Sequence, residues 1–186
     1  MIVDGAVFGR SQLARLLDID EWQLANFASR RYRYGLAPSV RRGAKGRGKK
    51  GLYSLGDVYK IALARRLLLV GFESGTVADV LRGLFPKGSE PLDLCSRQRP
   101  SERAGARYLT VDFSGAAGRD RKIRPSVSLR PKESLVDLWA EQLRLPSAAF
   151  IMDFDGLLAW VDSRILGREV GLEPGARKDK ESPNKK

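Results

Sequence analysis

Leu13, Leu16 and Leu17 recur at a spacing that gathers them on one helical face, and Ser11 stands where a capping residue would open that helix. Asp18-Ile19-Asp20 reads as a turn. Asp20 then caps a second helix running to about Ser29, with Leu24 and Phe27 inward and Trp22 packed at its edge. Tyr34 to Pro38 breaks the helical pattern. Ser54 opens a third helix with Asp57 as its capping-box partner, and Val58, Ile61, Ala62 and Leu68 keep helical spacing until Gly71. Ser74 opens a fourth, with Val77, Val80, Leu81 and Leu84 on one side and Pro86 closing it.

Beyond residue 106 the period shortens. Tyr108 to Phe113 alternates as a half-buried strand does, a polar turn spans Gly115 to Lys122, and Pro125 to Leu129 reads as a second strand. Pro131 and Lys132 open a helix striped by Leu135, Leu138, Trp139 and Leu143. Ala148 to Met152 is a third expected strand and Gly156 to Leu166 a helix. Residues 86–106, rich in Pro, Gly, Ser and charge, read as a linker, and 171–186 as a disordered tail. The expected class is α+β, with an N-terminal domain over 1–85 and a small α/β domain over 107–170.

Charge is concentrated rather than spread. Arg30, Arg31, Arg33, Arg41, Arg42, Lys45, Arg47, Lys49 and Lys50 fall within 21 residues that hold no Asp or Glu, among Tyr32, Tyr34 and four glycines. Like charge at this density repels itself and gains most against a polyanion. The chain carries +12 overall, of which residues 1–71 contribute +9, 72–106 zero and 107–186 +3. The positive field therefore belongs to the N-terminal third, which points to a dedicated basic module. The plain alternative is a solvated loop with no partner. A smaller cluster, Arg119, Arg121, Lys122 and Arg124, reads as a soluble hairpin turn. Tyr32 and Tyr34 are expected to pack beneath the basic segment.

Cys95 is the single cysteine and histidine is absent. An intramolecular disulfide is impossible, Cys/His metal sites are excluded, no cofactor is implied, and the usual general base at neutral pH is missing. No apolar run reaches membrane-spanning length, and the first residues lack the pattern of a signal peptide. A cytoplasmic, nucleoid-associated protein is the expectation.

Two short helices joined by a tight turn form either a helix-turn-helix or a plain helical hairpin. Five features in sequence order extend this: Gln12 to Asp20 as helix and turn, Glu21 to Phe27 as a second helix, Gly35-Leu36-Ala37-Pro38, a basic segment ending in Tyr53-Ser54, and a helix pair broken at Gly71-Phe72. Over residues 8–85 this order resembles the DNA-binding domain of the MerR family of winged-helix transcription regulators. The resemblance implies a winged helix-turn-helix domain, its second helix in the major groove and a hairpin wing on the phosphate backbone of double-stranded DNA.

Three positions depart from the family pattern. Ala25 and Asn26 replace an arginine and an aromatic, Gly51 replaces an arginine, and the wing is longer and richer in glycine. These departures move the cationic role to Arg30, Arg31, Arg33 and the segment from Arg41 to Lys50. Gln23 and Asn26 are the candidates for pairing with a base edge, a solvent-facing role being the alternative. Arg30 or Arg31 reaches a guanine or the backbone, and the wing cations hold phosphates. Family members dimerise through a long helix after the fourth, but Pro86 ends that pattern here. If the protein forms a homodimer, the C-terminal domain is the expected surface, and nothing in the chain names a small-molecule effector.

Two enzyme motifs are declined. Gly43 to Lys50 nearly fits a phosphate-cradling loop, but Lys50 takes the hydroxyl position and Gly51 follows where a helix should begin. Phe150 to Leu157 resembles the first motif of haloacid-dehalogenase-type phosphatases, yet only 30 residues follow Gly156 and Leu157 replaces the threonine. A strand ending at Asp153, with Asp155 in the turn, accounts for it. The expectation is a non-enzymatic, sequence-specific transcription regulator. Its rivals are a phage or mobile-element accessory factor, such as an excisionase or packaging subunit, and a sensor or interaction module with a pocket lined by Trp139, Trp160 and Phe150.

Overall fold

The computed structural model describes residues 6–29, 34–42, 50–85, 107–113, 125–131, 135 and 149–170. The order is β1 (Val7–Phe8), α1 (Arg10–Leu17), α2 (Glu21–Ala28), β2 (Val40–Arg42), β3 (Lys50–Ser54), α3 (Leu55–Leu69), α4 (Ser74–Leu84), β4 (Arg107–Asp112), β5 (Ser126–Pro131), β6 (Ala149–Asp153) and α5 (Phe154–Val170). Helices combine with two small antiparallel sheets, ordered β1-β3-β2 and β5-β4-β6. The chain is α+β, as its pattern predicts. The expected linker over 86–106, the tail over 171–186, the basic cluster at 119–124 and most of the helix expected after Pro131 lie outside the described residues.

Local chemistry sets the helix ends. Helix α1 starts at Arg10 with Gly9 at its cap, so Ser11 lies inside the first turn instead of capping it. It stops at Asp18, whose φ of 53° is left-handed, a conformation that a short polar side chain tolerates better than most. Helix α2 begins with a capping box, in which the Asp20 N–H donates to Gln23 Oε1 at 3.1 Å. Helix α3 opens on the reciprocal pair Ser54 and Asp57, and Gly71, with φ of 97°, turns the chain at its end.

The buried faces of α1, α2, α3 and α4 meet in a core that continues into β4 and α5 through Leu109, Val111, Phe154, Leu158, Val161 and Ile165. Helix α5 packs on α1, α3 and β4, and α4 packs on β5. A Cβ on Gly83 of α4 would stand 3.4 Å from Val127 of β5, which measures how closely those two elements approach. Phe72, just past Gly71, meets Phe150 edge-on at 4.9 Å and Phe113 at 5.8 Å. Two polar links reinforce the apolar contact. The Tyr59 hydroxyl donates to Asp162 Oδ1 at 2.5 Å, and Arg164 Nη1 donates to the Leu16 carbonyl at 3.1 Å.

Candidate nucleic-acid interface

Helix α2 is eight residues long and buries Leu24 and Phe27. At 100° per residue, Trp22, Ala25 and Asn26 then fall on the side turned away from the core. Trp22 is 63% exposed, so the indole stands out from the surface instead of packing at the helix edge as its sequence position predicts. Asn26 is half-buried on that outer side. Gln23 is held back at the helix start by its Oε1, which accepts the Asp20 N–H. The nearby turn is fixed by Arg65 of α3, whose Nη2 donates to the Asp18 carbonyl at 2.9 Å.

The segment after α2 returns as a hairpin. Strands β2 and β3 pair antiparallel, with Val40 opposite Leu52, Arg41 opposite Gly51 and Arg42 opposite Lys50. The side chains of Arg41, Arg42 and Lys50 lie outside the described atoms, as do Arg30, Arg31, Arg33, Lys45, Arg47 and Lys49 entirely. Gly51 has a steric reason. A Cβ there would come within 2.9 Å of the Pro38 ring, leaving no room for the arginine that the resemblance implies.

The base of the hairpin is tied down by one buried carboxylate. Asp57 Oδ2 accepts the Ser54 N–H at 2.8 Å, the Ser39 N–H at 3.2 Å and the Ser39 hydroxyl at 2.5 Å. Ser39 immediately precedes β2 and Ser54 ends β3, so Asp57, the capping-box partner in the first turn of α3, gathers both roots of the hairpin. The third strand, β1, borders the same stem through Val7 opposite Ser54 and Phe8 opposite Tyr53. Tyr53 is buried, and burial pushes its phenol above the ordinary 10.0, against the lowering influence of the Arg10 guanidinium. No group among the described residues completes a hydrogen bond to that hydroxyl. Tyr34 packs against Phe27 with ring centroids 5.6 Å apart.

The acidic motif at 153–156 has a structural occupation. Asp153 Oδ1 accepts the Gly156 N–H at 2.8 Å and so caps the start of α5. A Cβ on Gly156 would push that carboxylate aside, so a larger residue there would compete with the cap. Asp155, 6% exposed, is gripped by Arg107 through Nε at 3.0 Å, Nη2 at 2.5 Å and the backbone N–H at 2.8 Å. Trp160 lines a depression with Met152 and Leu157, whereas Phe150 lines a different one with Phe72 and Phe113. Trp139, the third aromatic of the expected pocket, lies outside the described residues.

Among the described residues no group of three or more acidic or cysteine side chains is placed to hold a metal ion. No described helix is long and apolar enough to cross a membrane. No protein-family model matches the chain, and no curated protein is similar to it in sequence.

Proposed function

We propose that the chain is a sequence-specific, double-stranded-DNA-binding transcription regulator of MerR type. Residues 1–85 act as a winged helix-turn-helix, with α2 in the major groove and the β2–β3 hairpin on the phosphate backbone. The observation that carries this reading is the hairpin register. It sets Arg42 across from Lys50 on a stem whose connecting residues add Lys45, Arg47 and Lys49. Strands that juxtapose cations in this way lose stability unless a polyanion lies against them. The polar root at Asp57 ties together Ser39 before β2 and Ser54 at the end of β3, and phosphate contacts made from such an anchored hairpin would set the register in which α2 meets the bases.

The C-terminal sheet and α5 contribute chiefly as support. They pack against α1, α3 and α4 and share their core. Selection of bound duplexes from a random pool tests the proposal. Enrichment of one motif is the expected result, and twofold symmetry in that motif would report a dimer. Recovery of a pool no different from the input would refute sequence-specific recognition.

A further inference from the structure

Where α3 passes the junction of β6 and α5, the surface sinks into a cavity of about 320 Å³. Leu69 of α3, Met152 of β6 and Leu157 and Trp160 of α5 form its apolar walls. That volume suits a small organic molecule. The charge around it is unequal. Arg65 and Arg66, adjacent on α3, both line the cavity, and the Arg164 guanidinium lies 4.7 Å from the centre of the Trp160 ring. Arg65 and Arg164 are occupied in the fold, donating to the carbonyls of Asp18 and Leu16. Arg66 is exposed, and its side chain makes no hydrogen bond or ion pair among the described residues. The acid in the lining is Asp153, whose Oδ1 already accepts the Gly156 N–H at the start of α5.

We propose that this cavity binds a small aromatic carboxylate, with Arg66 pairing its charge and Trp160 walling its ring. A guanidinium fork matches a carboxylate in geometry as well as charge. The apolar walls select for the rest of the ligand. A flat hydrocarbon body releases water from Trp160, Met152 and Leu157, whereas a bare inorganic anion gains nothing from them. A cation would meet three guanidiniums against one carboxylate. The site joins α3 to β6 and α5, uses neither α2 nor the β2–β3 hairpin, and so goes beyond the DNA-binding function. The wider groove beside Trp22 shares Arg65 and Leu69 with the cavity but has Asp18 at its edge, which disfavours an anion there.

The test titrates the full chain with 2-naphthoate and with 2-naphthamide, which keeps the rings and removes the charge, and reads affinity by calorimetry. Loss of one hydrogen-bonded charge pair corresponds to about a tenfold change, so wild-type protein binds naphthoate about tenfold more tightly than the amide. Arg66→Gln binds naphthoate about tenfold more weakly, no longer distinguishes the probes, and keeps its affinity for the amide. Because Arg66 is exposed, this variant retains the fold, which an unchanged unfolding midpoint verifies. Trp160→Ala weakens both probes. Arg82→Gln, a surface guanidinium of α4, and Trp22→Ala bind both probes as wild type does. Absence of saturable naphthoate binding overturns the proposal, as does equal affinity of wild type for the two probes or undiminished discrimination in Arg66→Gln. Loss of binding in Trp22→Ala with Trp160→Ala unaffected also overturns it, by moving the site to the neighbouring groove. None of these results bears on duplex affinity, so the DNA-binding function stands or falls separately.

Discussion

Asp57 and Ser39 stand 18 positions apart, and the carboxylate of the first accepts both the backbone N–H and the hydroxyl of the second. The same oxygen accepts the Ser54 N–H, so the side chain that caps α3 also fixes where the cationic hairpin leaves the fold. Asp57→Ala removes the capping box and three hydrogen bonds to a buried carboxylate at once. The expected loss of stability is about 2–4 kcal/mol, read from the urea midpoint. Ser39→Ala keeps the cap and should cost about 1 kcal/mol. Equal stability of Asp57→Ala and wild type would mean that the carboxylate holds nothing.

The buried Asp155 pairs with the partly buried Arg107, whose guanidinium also lies 5.6 Å from the centre of the Phe154 ring. Asp155→Ala strands the guanidinium in a mostly buried site and should destabilise the fold by about 3–5 kcal/mol in denaturant titration. Asp153→Asn should leave the chain folded and without phosphatase activity, as wild type. Magnesium-dependent phosphate-ester hydrolysis by wild type, lost in Asp153→Asn, would contradict the structural role given to this motif.

Tyr53 carries a pH signature. Burial raises its folded-state pKa above the unfolded value of 10.0, so on alkalinisation the unfolded chain loses its proton first. Its contribution to stability is therefore intact below pH 10 and falls as the pH rises beyond it. Tyr53→Phe should remove that part of the alkaline decline. Parallel thermal melts of the two proteins between pH 7 and pH 11 check this sign, and superimposable curves would exclude the effect.

Tyr59 and Asp162 join α3 to α5 across 103 residues of sequence. Tyr59→Phe leaves a half-buried carboxylate without this donor and should cost about 1–2 kcal/mol in a denaturant titration. No change in the midpoint would show that this hydrogen bond contributes nothing to holding α5.

Much of this architecture is legible along the chain. Ser54 with Asp57, Asp20 before an apolar pair, and Gly71 before Phe72 each carry a local signal, since capping and chain reversal are settled within four residues. Strand β4 shows its alternation, and its neighbours β5 and β6 were expected within one or two residues of their observed limits. What escaped depends on partners distant in sequence. Strand β1, only Val7 and Phe8, is too short to show a period and exists because Tyr53 and Ser54 offer it an edge. Ser11 resembles a cap because serine favours that place, yet the helix begins one residue after Gly9.

The candidate site shows the same division. The cationic run is visible in composition, but the hydrogen bonds from Ser39 to Asp57 that root it are not. Trp22 reads as inward from the sequence because a large aromatic beside an apolar pair ordinarily turns to the core. The helical wheel, taken with Leu24 and Phe27 as the inward pair, already places it on the opposite side. Helix α5 begins at Phe154, two residues before the expected Gly156, because Asp153 caps it and Asp155 is drawn to Arg107.

The most direct test of the account is the affinity of the full chain for duplex DNA as a function of salt, compared with a variant carrying alanine at Arg41, Arg42, Lys45 and Arg47. If about five cations per subunit neutralise phosphates, log affinity should fall against log salt with a slope of roughly −4 to −5 per subunit. The variant should bind every duplex more weakly and show a slope nearer zero by about three or four units. Wild-type protein that ignores duplex DNA at low ionic strength, or a variant with unchanged affinity and slope, would contradict the claim that the hairpin grips the phosphate backbone.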